Sequence, residues 1–106
     1  MARPEQRYHV DFQVILNWQS PKGIRQSPAR CTNLSPSGAQ VETLDAFTAH
    51  AAVVVTSEHF GRMGHAIVRY CRRTGMKYDV GLQFTESFQL ADPSRQAILA
   101  RVLKKT

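Results

Sequence analysis

The sequence predicts a single, mainly β domain of about six strands, arranged as a barrel or sandwich and finished by a short C-terminal helix. Three observations carry this expectation. Several segments alternate apolar and polar residues with the period of two that half-buried strands require. Clusters of Gly, Pro, Asn and Ser separate them at spacings typical of a barrel or sandwich. Near the end, Asp92-Pro93 precedes apolar residues at helical spacing. At 106 residues the chain has the length of one domain with one hydrophobic core.

The elements follow in order. Val10, Phe12, Val14, Leu16 and Trp18 alternate with Asp11, Gln13 and Asn17, the clearest strand pattern in the chain. Ser20-Pro21-Lys22-Gly23 has turn chemistry, so the segment through Thr32 is expected to return as a second strand. Pro28 is expected to delay its pairing. Asn33 to Gly38 is dense in turn formers, and Ala39 to Thr43 resumes alternation as a third strand. Ala51 to Ser57 is Val-rich and reads as a fourth, Gly61-Arg62-Met63-Gly64 as a connection, and His65 to Arg73 as a fifth. Thr74-Gly75 suggests a hairpin tip. Tyr78, Val80, Leu82 and Phe84 then form a sixth strand, expected to pair with Ala66, Val68 and Tyr70 across one face. Ile98, Leu99, Val102 and Leu103 mark one face of the closing helix.

A net charge of +6 favours phosphate-bearing or otherwise acidic ligands. Arginine dominates the cations, and its planar fork makes paired hydrogen bonds to phosphate oxygens or a guanine edge, which the lysine ammonium cannot. The longest apolar run, Ala51 to Val55, is too short to span a bilayer, and no charged-then-apolar signal opens the chain. The expectation is a cytoplasmic protein without membrane insertion. Cys31 and Cys71 are too far apart for a redox or zinc motif and read as reduced packing thiols.

Two constellations stand out. Arg3-Pro4-Glu5-Gln6-Arg7 is an Arg-x-x-x-Arg directly before the first strand, on residues 1–9 read as an arm that can fold over a ligand, with the barrel over 10–106. Arg69 and Arg73 repeat the spacing inside a strand, where a solvated pair is the simpler reading. Asn33-Leu34-Ser35-Pro36-Ser37-Gly38 is an Asn-x-Ser-x-x-Gly at a strand-to-strand turn. Its amide, hydroxyl and glycine suit close approach of a ligand to backbone, although the same residues also make ordinary turns.

In this order, the two motifs resemble the PilZ domain family, and the resemblance spans nearly the whole chain. It includes Arg3 and Arg7 leading into Tyr8-His9-Val10, the turn Asn33-x-Ser35-x-x-Gly38-Ala39, the Val80-Gly81-Leu82-Gln83-Phe84 strand and the closing helix. The resemblance implies a six-stranded antiparallel, split β-barrel that binds the bacterial second messenger cyclic di-GMP. It further implies that Arg3 and Arg7 contact phosphate and guanine edges while Asn33, Ser35 and Gly38 form the opposite wall. Arg30 and Gln6 are additional candidate contacts, and Arg25 lies between the motifs. Residue 2 is alanine where some members carry a base linked to ligand stoichiometry, leaving one or two ligands open. Asn33 stands where the family also uses aspartate, and its amide keeps an acceptor. The implied role is a non-enzymatic, stand-alone receptor that changes conformation and signals to a partner protein in motility, biofilm or exopolysaccharide control.

Two other functions compete. One is a protein-interaction module of the same fold without ligand; both motifs being present argues against it. The other is a basic barrel for single-stranded nucleic acid, but Phe12, Trp18, Tyr78 and Phe84 fall on positions expected to face the core. Gly61 to Gly64 contains a Gly-x-x-Gly, yet its neighbours read as strands rather than the helices of an RNA clamp. His9, His50, His59 and His65 lack the pairing of a zinc site, and no cofactor is expected. With no paired carboxylates or activated nucleophile at useful spacing, an enzyme is not expected.

Overall fold

Residues 5–105 are described by the computed structural model of the chain. Alternation along β1 (Tyr8–Ser20) turns Val10, Phe12, Val14 and Leu16 into the core, as expected. Trp18 is only partly buried, and its indole Nε1 donates to Ser27 Oγ at 2.8 Å. Because Tyr8 and His9 already pair with Leu34 and Asn33, the strand begins two residues before the boundary at Val10 suggested by the alternation.

β2 (Gly23–Leu34) pairs with β1 from its first residue, so Pro28 does not delay pairing. The reason lies in the ladder. The Pro28 carbonyl accepts from Thr43 Oγ1 at 3.0 Å, on the side facing away from β1. Its ring nitrogen shares that side, and the ladder to β3 (Gly38–Thr43) only begins at Ala29, so the missing N–H breaks no bond to β1.

β4 (Ala52–Ser57), β5 (Gly61–Thr74) and β6 (Lys77–Phe84) complete a closed antiparallel barrel in the order β1-β2-β3-β6-β5-β4. Gly61 to Gly64 is strand rather than connection, because the turn is made by Glu58, His59 and Phe60. Thr74 pairs with Lys77, which places the next hairpin tip on Gly75-Met76, with Gly75 at φ 64° supplying the left-handed residue.

β5 carries two bulges. Between Thr56 and Val55 of β4, the residue count slips so that Met63 and Gly64 together oppose Val55, with Gly64 at φ 132°. Between Leu82 and Val80 of β6, Arg69 and Tyr70 together oppose Gly81. The inward residues of β5 are therefore Met63, Ala66, Val68 and Cys71, spaced three, two and three apart. Tyr70 does not join the core face with Ala66 and Val68 as alternation predicts; it is 40% exposed on the outside.

The core fills the barrel and extends to its helical end through Phe12, Phe60, Phe84 and Phe88, whose rings meet at centroid separations of 5.3–5.7 Å. There α1 (Pro93–Val102) is capped by Asp92, whose carboxylate accepts from Ser94 N at 2.9 Å and Ser94 Oγ at 2.6 Å. These bonds hold the Asp92 carboxyl below the usual aspartate range. Leu99 and Val102 are buried, whereas Leu103 lies beyond the helix in extended backbone, 40% exposed and bridged to Val10. Lys104 N also donates to His9 O at 2.9 Å, tying the chain's end to the start of β1.

Candidate functional site

A third bulge builds one wall of the site. Cys31 pairs with Val41 and Asn33 with Gln40, so Thr32 and Asn33 share one partner across the β2–β3 ladder. Strict alternation would put Asn33 on the inward face with Cys31. The bulge makes Cys31 and Leu34 the inward pair and leaves Asn33 half-buried on the outer surface. Cys31 itself is fully buried, and desolvation pushes its thiol up to about 12, which fixes it as a neutral packing group. Both cysteines are free, in accord with the reduced thiols expected.

The turn after Asn33 is closed by its own atoms. Ser35 N donates to Gly38 O at 2.9 Å, and Gly38 N donates to Ser35 Oγ at 3.2 Å. Ser35 is 5% exposed, so its hydroxyl chiefly holds the turn and offers little surface to a ligand. Gly38 is required by space. A Cβ there would lie 2.2 Å from the backbone oxygen of Leu82, on the β6 strand with which Gly38 pairs. The end of β6 and the loop after it lock the turn from behind, with Phe84 N donating to Ser37 O at 2.8 Å and Phe88 N to Pro36 O at 2.7 Å.

Opposite this wall, the Arg69–Tyr70 bulge turns two consecutive side chains to the outside. Tyr70 lies across Gly81, where a Cβ would sit 2.1 Å from the ring, so the strand must be bare for the ring to lie down. Arg72 approaches the same ring, with its guanidinium carbon 5.4 Å from the centroid. Arg69 donates to Gln83 Oε1.

Between the walls is a cavity of about 260 Å³ lined by Arg7, Asn33, Ser35, Gly38, Arg69 and Tyr70, among others. Its lining contains two guanidiniums and no carboxylate among the described residues. Among the described residues, neither Arg7 nor the Asn33 amide has a side-chain hydrogen bond or ion pair. The arm already touches the turn, since the Ser37 hydroxyl donates to the Glu5 carboxylate. A basic, aromatic-edged cleft suits a planar, phosphate-bearing ligand.

Four of the sequence-expected site residues, Arg7, Asn33, Ser35 and Gly38, thus meet at one cavity. Arg3 lies outside the described residues. Gln6 is exposed and does not line the cavity. Arg30 is not brought there either: its Nε and Nη2 donate to the two Asp11 carboxylate oxygens at 2.7 and 3.0 Å, on another part of the surface. Arg25 leans over Trp18 at 5.9 Å. Sequence reasoning missed Arg69 and Tyr70, reading the first as solvated and the second as core. The available signal was Gly81, a glycine in the middle of a strand, which marks a bulge or a close approach.

No group of three or more potential metal ligands occurs among the described residues, and no helix is long and apolar enough to cross a membrane. Neither a protein-family model nor a curated protein matches this sequence.

Proposed function

We propose that this domain binds cyclic di-GMP in the cavity between the Asn33–Gly38 turn and the Arg69–Tyr70 bulge, and acts as a non-enzymatic receptor of PilZ type. The observation that carries the reading is convergence: Arg7 and the Asn33, Ser35 and Gly38 positions, 26 or more residues away in sequence, line one cavity. The ligand's two phosphates and the O6/N7 edges of its guanines match the bidentate donors of Arg7 and Arg69. Asn33 offers both a donor and an acceptor, and Tyr70 an aromatic surface for a base.

The other walls of the cavity are paired strands and a hydrogen-bonded turn, so this reading assigns the movement to the segment before β1. Ligand binding replaces the Glu5–Ser37 contact with arginine contacts to phosphate, and the reordered arm is the surface that a downstream protein reads. Calorimetric titration with cyclic di-GMP tests the reading. Saturable binding that is lost in Arg7→Ala supports it. The absence of heat and of thermal stabilisation at high micromolar ligand overturns it, and favours an interaction module without ligand. Stronger, sequence-tolerant binding of single-stranded oligonucleotides in moderate salt overturns it in favour of a nucleic-acid barrel.

A further inference from the structure

The first bulge of β5 creates a second basic cleft, on the other side of the loop that locks the Ser35–Gly38 turn. Arg62 and His65 are three residues apart, a separation that puts side chains on opposite faces of a regular strand. The bulge at Met63-Gly64 absorbs one residue, buries Met63 at 6% exposure and leaves both Arg62 and His65 outside. There Arg62 Nη2 lies 2.8 Å from His65 Nε2. The guanidinium donates, and the imidazole nitrogen acts as acceptor.

Arg95, in the first turns of α1, faces them across a cleft of about 450 Å³. It is held by its own surroundings: the guanidinium carbon sits 4.5 Å from the Phe88 ring centroid, and Nη1 donates to Gln89 O at 3.4 Å. Neither Arg62 nor Arg95 forms an ion pair among the described residues, although the Glu86 carboxylate lines the same cleft. The Thr85 and Ser87 side chains complete the rim. Two arginines, one from β5 and one from α1, line one cleft, a donor set suited to a tetrahedral dianion.

We propose that this cleft is a second binding site, separate from the cyclic di-GMP cavity, for the phosphoryl group of a small phosphorylated molecule, gripped by Arg62 and Arg95, with His65 Nε2 accepting from Arg62 and so orienting its guanidinium. The bulge is what makes it possible, because it re-aims Arg62 from one face of β5 to the other. Its residues are distinct from those of the first cavity, so the two sites fail or succeed independently.

Inorganic pyrophosphate is the probe. Titration into the labelled protein, followed by backbone and arginine side-chain NMR, is compared with sodium chloride at matched ionic strength. Saturable shifts at Gly64, His65, Thr85 and the Arg62 and Arg95 side chains are expected. Arg62→Gln and Arg95→Gln are each expected to weaken this binding about tenfold or more while preserving the fold. Shifts confined to Arg7, Asn33 and Arg69 would overturn the second site while leaving the first intact. Shifts reproduced by chloride, or unchanged in the Arg62→Gln/Arg95→Gln double variant, would also overturn it.

Discussion

Replacing Gly38 by alanine is expected to damage the fold and the site together. The added Cβ would lie 2.2 Å from Leu82 O and 3.3 Å from Leu82 C, both backbone atoms of a paired strand, so no side-chain rotation relieves the overlap. The end of the β3–β6 ladder must open. At stake are the Gly38↔Gln83 pairing, the 2.8 Å bond from Phe84 N to Ser37 O and the 2.9 Å bond from Ser35 N to Gly38 O. Two or three such bonds at about 1 kcal/mol each give a destabilisation of about 2–3 kcal/mol. For a domain of this size that corresponds to a Tm lowered by about 10–20 °C. Gly81→Ala supplies the internal comparison. The nearest atoms its Cβ meets belong to the Tyr70 ring, which is 40% exposed and free to swing out, so a loss below about 1 kcal/mol is expected, with cyclic di-GMP affinity reduced. Thermal and urea denaturation of both variants measure the difference. Gly38→Ala as stable as the unmodified protein, or Gly81→Ala the worse of the two, would refute the reasoning.

Arg7→Ala is expected to weaken cyclic di-GMP binding by about ten- to a hundredfold by calorimetry, with an unchanged Tm, since the side chain is exposed. Arg30→Ala, by contrast, should leave cyclic di-GMP affinity within about twofold, because that guanidinium is engaged by Asp11 elsewhere; a loss like that of Arg7→Ala would contradict the assignment. Cys31 predicts an alkaline effect. Its folded-state pKa is raised to about 12 above its ordinary value of 9.0, so its contribution is intact below pH 9 and lost as pH rises towards 12. Cys31→Ala should therefore show a smaller fall in Tm between pH 8 and pH 10.5, and a fall equal to that of the unmodified protein would remove the thiol from the explanation.

The strand count, the consecutive strand-turn-strand units and the closing helix were legible because alternation and turn residues report burial directly, whereas the β3–β6 and β1–β4 pairings that close the barrel were not. β1 is the clearest case, its inward set Val10, Phe12, Val14 and Leu16 being read straight from the pattern. What alternation could not report is where it breaks. Each bulge inserts one residue and reverses the facing of everything beyond it, which is why Tyr70 was expected inside and lies outside. The site is concentrated where the pattern fails: the bulge at Thr32-Asn33 turns Asn33 outward, and the bulge at Arg69-Tyr70 supplies the opposite wall. Pro28 misled for a related reason, since its effect depends on which neighbour its nitrogen faces, and that depends on register across two strands. Arg30 lies only three residues before Asn33 and also faces outward, yet its guanidinium is held by Asp11 of the neighbouring strand β1 and not at the cavity.

The central claim is that one cavity, walled by Arg7, Asn33, Gly38, Arg69 and Tyr70, holds cyclic di-GMP. Its most direct test is NMR mapping of that ligand on the labelled protein. The account predicts saturable shifts concentrated at Arg7, Asn33, Gly38, Arg69, Tyr70 and Gly81, together with loss of the Glu5–Ser37 contact as the arm reorders. Saturation with the largest shifts elsewhere on the barrel, leaving these residues unmoved, would contradict it.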